Sequence, residues 1–157
     1  MTNGTGGIEG KGAHTIITAI VPILPGHLEP LQQTLAALGA PDRTSPISAI
    51  STIHFARWVI IDNGERLLFT SNFDGTWDAY IDEFIDKASD GLDLIWSHCV
   101  EYPEGGSKDR EAFKAYVRKY EYKANLFYCA YDDLTVSEIL KAQRIREKFA
   151  TLLDEFA

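Results

Sequence analysis

The sequence predicts an α+β domain of β-α-β-β-α-β order with a helical extension at its C-terminal end. Three observations carry this reading. Asn63-Gly64 separates two β-rich runs, an amphipathic helix pattern follows the second run, and an apolar run with its own helix pattern precedes the first. That order is the ferredoxin-like split βαβ unit.

Residues 1–13 are Gly-rich without apolar periodicity and read as a flexible leader to a single domain over 14–157. They do not form a phosphate loop: Thr5 stands where the upstream Gly belongs, and Gly12 where Ser or Thr would meet magnesium. His14 to Ile23 is a nearly all-apolar first strand, ending at Pro22 and Pro25-Gly26. His27 to Gly39 is a helix with Leu28, Leu31, Leu35 and Leu38 on one face and Gly39 at its end. Pro41 to Pro46 is a polar loop.

Ile50 to Asp62 and Glu65 to Phe73 form a hairpin, because Asn-Gly accepts the positive φ angles of a tight turn. A two- or four-residue loop pairs Trp58 with Phe69, Ile60 with Leu67 and His54 with Phe73. The other face then holds Phe55, Arg57, Val59 and Ile61 beside Arg66, Leu68, Thr70 and Asn72. From Thr76 to Ala88, Trp77, Tyr80, Ile81, Phe84 and Ile85 make an apolar helix stripe, capped by Asp74 or Thr76. Gly91 is read as its end, and Leu92 to Val100 as a fourth strand. From about residue 104 an α-β-α extension follows. It comprises a helix over Asp109 to Tyr120, a short strand over Asn125 to Tyr131 and a last helix opened by the Thr135-x-x-Glu138 capping box. Ile139, Ala142, Ile145, Phe149, Leu152 and Phe156 line one side of that helix.

A four-stranded sheet with both helices on one face leaves Phe55, Val59, Ile61 and Leu68 bare. Covering ~400 Å² of such surface is worth on the order of 10 kcal/mol before association costs. The preferred solution is a homodimer whose sheets stack into a dimeric α/β barrel.

The net charge of −8 argues against nucleic-acid binding and against a polybasic membrane contact. No apolar run reaches the ~18 residues of a membrane-spanning helix, and no signal-peptide pattern opens the chain, so a cytoplasmic location is expected. Cys99 and Cys129 lie in apolar runs and suit free thiols.

His-Phe-Ala-Arg-Trp at 54–58 and Ser-Asn-Phe-Asp-Gly at 71–75 resemble segments of the dimeric α/β-barrel superfamily, which includes the dye-decolorizing peroxidases. Ser71 stands where the peroxidase Gly-x-x-Asp-Gly motif has its first Gly. The resemblance implies a barrel dimer and, in one alternative, a haem-dependent peroxidase-like enzyme. Asp74 and Arg57 would then lie on the distal side, with His98 or His54 as axial ligand. A cofactor-independent monooxygenase or isomerase is the other alternative.

From the residues themselves, Arg57, Thr70 and Asn72 mark a small-molecule or anion pocket on the hairpin. Against this stands a plain salt bridge from Arg57 to Asp74, which is the favoured reading. Asp74 is a weak catalytic candidate whose structural role is a helix cap. His54 and His98 are favoured as hydrogen-bonded strand histidines, and no metal site is expected. No cofactor is expected outside the haem alternative.

Overall fold

A computed structural model describes residues 8–41 and 44–155. Four antiparallel strands form its sheet: β1 (Gly10–Lys11), β2 (His14–Pro22), β3 (Ile53–Ile61) and β4 (Arg66–Asp74), in the order β1-β2-β4-β3. Four helices accompany them: α1 (Leu28–Leu38), α2 (Trp77–Trp96), α3 (Arg110–Tyr120) and α4 (Val136–Asp154).

The hairpin keeps the expected register, with Trp58 opposite Phe69 and Ile60 opposite Leu67. Its turn holds Asp62, Asn63 and Gly64 at φ of 52°, 54° and 95°. Asn-Gly tolerates this left-handed backbone, and the Asp62 carbonyl accepts from the Glu65 amide to close the loop. At the other end of β3 the pairing slips: Ile53 faces Phe73 and Phe55 faces Asn72. His54 therefore sits in a bulge, not opposite Phe73 as expected, and a bulge re-aims the side chain it carries.

One face of the sheet is the core face. Ile17, Ala19 and Val21 of β2 and Leu67, Phe69 and Phe73 of β4 are buried against the helices. From α2 come Tyr80, Phe84, Ile85, Leu92 and Trp96, from α3 Phe113 and Tyr116, and from α1 Leu31. Tyr80 stacks on Phe73 at 3.5 Å between ring centres, and its hydroxyl meets Ser71 Oγ at 2.5 Å.

The predicted fourth strand is absent. Residues 92–96 belong to α2, which runs on through an irregular turn at Ala88. Ala88, Leu92, Ile95, Trp96 and Cys99 are all buried, a spacing of three and four that suits a helix and not the alternation of a strand. Gly91 does not end the helix. A Cβ there would lie 2.8 Å from Pro46 Cβ, so the missing side chain admits the loop before β3. The strand expected over 125–131 is also absent: Asn125 lies in a bend, 126–129 join no strand, and 130–131 form a turn.

These changes overturn the barrel. The edge of β2 that a fourth strand would cover is closed piecewise, by β1 and by single bridges from Glu121 to Ala19 and from Cys99 to Ile23. The sheet is open, with β3 at its other edge, and does not close into a barrel. Of the N-terminal stretch expected to be coil, residues 10–11 pair with β2, Ile8 bridges Ala124, and 1–7 lie outside the described residues. The capping box at Thr135 and Glu138 is present as expected. The α4 helix it opens is half-buried only at Val136 and Ile139, which border the loop before β3, and is exposed from Leu140 to Asp154; Phe156 lies outside the described residues. No described helix is long and apolar enough to cross a membrane.

Candidate metal centre

On strands the side chains alternate, so His14 of β2 shares the open face with Ile16 and Thr18, and Asp74 of β4 shares it with Thr70 and Asn72. The two are directly opposed across the ladder. The bulge at Ile53–Phe55 brings His54 to the same end of the sheet, where its Nε2 lies 2.7 Å from Asp74 Oδ1. His14 Nδ1 lies 3.4 Å from that same oxygen. The side chains of His14, His54 and Asp74 are 2%, 6% and 13% exposed. The His14 and His54 rings meet edge to face, 4.5 Å between centres.

Two backbone contacts hold this group in place. His14 Nε2 lies 2.9 Å from the Tyr131 carbonyl, which can only accept, so that nitrogen carries the proton. Asp74 Oδ2 accepts from the Val136 amide at 2.8 Å. The carboxylate thus caps the first turn of α4 and not α2, whose cap is the Thr76 hydroxyl, bonded by the Ala79 amide.

This geometry sets an electrostatic requirement. With its proton on Nε2, a neutral His14 turns a lone pair on Nδ1 toward a carboxylate oxygen, acceptor against acceptor, in a site almost without water. A second proton on His14 relieves the clash, and so does a cation seated between the groups. One ligand atom from each of the three side chains can be chosen so that all lie within 4.8 Å of one another. Donors at about 2.0–2.2 Å from one ion lie about 3–3.5 Å apart; the 3.4 Å between His14 and Asp74 falls there, and the 2.7 Å His54–Asp74 hydrogen bond would have to lengthen as an ion replaced its proton. Beside the three lies a depression of about 330 Å³, also open to solvent and bordered by Phe55, Asn72, Phe127, Tyr128 and Cys129.

The other expected site residues fare differently. Arg57, Thr70 and Asn72 do share the open face, with Arg57 opposite Thr70. Arg57 is exposed, however, and the three border a broad depression of about 590 Å³ that opens to solvent. The expected ligand pocket is therefore not formed, and a cofactor-free monooxygenase or isomerase loses its enclosing barrel. The Arg57–Asp74 salt bridge is absent, because the two histidines take the carboxylate.

Haem does not fit. His54 bonds directly to Asp74, so the two cannot stand on opposite sides of a porphyrin. His98 lies in the turn after α2, apart from them. Its Nδ1 meets His27 Nδ1 at 3.1 Å and its Nε2 meets Thr34 Oγ1 at 3.4 Å. Burial, and then His27, hold the His98 imidazole below its ordinary range. Cys99 is buried, and desolvation pushes its thiol up to about 12, which leaves no thiolate for nucleophilic chemistry. Cys99 and Cys129 are both free, as expected.

Sequence reasoning missed His14. Nothing local marks it, and its link to Asp74 needs the β2–β4 pairing that only the strand order supplies. No family model matches this chain, nor does any curated protein or solved structure. The resemblance over residues 50–85 therefore rests on those residues alone.

Proposed function

We propose that the chain binds a divalent transition-metal ion through His14 Nδ1, His54 Nε2 and the Asp74 carboxylate. The acceptor-to-acceptor contact between His14 and Asp74 carries this reading, since a bound cation turns that repulsion into shared coordination. Two imidazoles and one carboxylate suit Zn²⁺, Co²⁺ or Fe²⁺ over Mg²⁺ or Ca²⁺, which prefer all-oxygen sites. The Tyr131 carbonyl fixes the His14 tautomer, and the Val136 amide orients Asp74, the outer contacts that such ligands use. Three protein donors would leave positions free toward the solvent-open depression beside Phe55 and Tyr128. The free thiols suit a reducing cytoplasm.

Titration of metal-freed protein with Co²⁺ tests this. Visible absorption saturating at one ion per chain is expected, and His14→Ala and His54→Ala should each remove it. Absorption unchanged in both variants refutes the assignment.

A second reading concerns assembly. We infer that the working form is a homodimer, supported by large apolar residues left exposed on α4 and on the open sheet face. Light scattering at micromolar concentration should give twice the chain mass; a monomer contradicts it.

A further inference from the structure

We infer that α4 of one copy packs across the open sheet face of a second copy, and reciprocally, an inference that rests on the homodimer reading. Four observations point there. Of its 19 residues only Val136 and Ile139 are half-buried, and the other 17 are exposed. Its root is nevertheless fixed, through Asp74 to the Val136 amide and through the Thr135–Glu138 capping box, so it projects as a built arm and not as a frayed end. Its exposed residues include Leu140, Ile145 (59%), Phe149 (60%), Leu152 and Leu153. The sheet side offers Phe55 (66%), Val59, Leu126 (84%) and Tyr128. Leu126 and Tyr128 come from the irregular segment that borders the open face.

The two surfaces match in size. A 19-residue helix is ~28 Å long, and nine-residue strands such as β2, β3 and β4 span ~30 Å. Together these apolar residues expose on the order of 1,000 Å² per copy, above the ~800 Å² that each partner gives to a standard interface. Charge does not oppose the pairing: α4 carries Lys141, Arg144, Arg146 and Lys148 against Glu138, Glu147 and Asp154, a net of +1, and the rest of the chain is −8 − 1 = −9. A reciprocal exchange is isologous and closes at two copies, leaving neither surface bare.

The test uses two double variants of the full chain. Ile145→Glu with Phe149→Glu spoils the arm, and Val59→Lys with Leu126→Lys spoils the face, so that in a mixed dimer the two altered surfaces meet with opposite charge. All four positions are exposed within one chain, so each variant should keep the far-UV and near-UV circular dichroism of the parent protein. Each alone should run as a monomer by light scattering at ~10 μM, where the parent protein is a dimer. Mixed together they should regain a mixed dimer, because one intact arm then meets one intact face. A dimer that persists in the arm variant overturns the exchange and leaves the homodimer reading standing. A mixture that stays monomeric also overturns it, since like surfaces must then be pairing. A monomeric parent protein overturns both.

Discussion

Replacing Asp74 with Ala should destabilise the metal-free protein by about 3–5 kcal/mol, because it takes a charged acceptor from two part-buried donors. The magnitude follows from its contacts. The carboxylate accepts from His54 Nε2 at 2.7 Å and from the Val136 amide at 2.8 Å, and each such charged hydrogen bond contributes about 1.5–3 kcal/mol. The His54 side chain is buried and would lose its acceptor, while His14 keeps the Tyr131 carbonyl. These losses overlap and do not simply add. Urea unfolding followed by tryptophan fluorescence, in the presence of a chelator, measures the change. Trp58, Trp77 and Trp96 lie in or against the core and report it directly. Hydrogen exchange at the Val136 amide should accelerate as well, since Asp74 is its acceptor. A loss under about 1 kcal/mol with unchanged exchange would show that the carboxylate is not what holds the histidines and the root of α4 together.

Two further substitutions separate parts of the account. Gly91→Ala in a helix ordinarily gains about 1 kcal/mol. Here the new Cβ meets Pro46 at 2.8 Å, so the urea midpoint should fall by the equivalent of about 1–3 kcal/mol, and a rise would contradict the close approach. Asp93 accepts from the Tyr102 hydroxyl at 2.5 Å and the Ser107 amide at 2.8 Å. Burial works to raise its acidity range, and these hydrogen bonds outweigh that and hold the carboxyl below its ordinary value. A carboxyl lowered on folding contributes stability that is complete above the unfolded value of about 4 and is lost as pH falls below it. Asp93→Asn should therefore flatten the drop in the urea midpoint below about pH 4. An unchanged slope would remove Asp93 from that transition.

The parts of the fold legible in the sequence are those decided by short-range chemistry. Asn63-Gly64 set the hairpin and its register, and Thr135-x-x-Glu138 set the start of α4. The Trp77–Ile85 stripe placed α2 on the correct face of the sheet. What failed depended on partners distant in the chain. Gly91 reads as a terminator unless Pro46 is known to press against it. Leu92 to Cys99 satisfies both a buried strand and a helix until Ile95 and Trp96 find their place in the core. For the site, His54 and Asp74 were both singled out, but for a haem they cannot share. The bulge that turns His54 toward Asp74 has no signature in Ile-Ser-Thr-Ile-His-Phe. His14 enters only through its place opposite Asp74 on a neighbouring strand.

The measurement that bears most directly on the metal centre is an anomalous-difference map from crystals grown with Zn²⁺ or Co²⁺, recorded at the metal's absorption edge. The account predicts one strong peak per chain, about 2.0–2.2 Å from His14 Nδ1, His54 Nε2 and an Asp74 oxygen. The His14 Nε2 contact to the Tyr131 carbonyl should remain. A map without a peak there, at metal concentrations that saturate the protein in solution, would contradict it. The cluster would then be a histidine–carboxylate clasp for the root of α4.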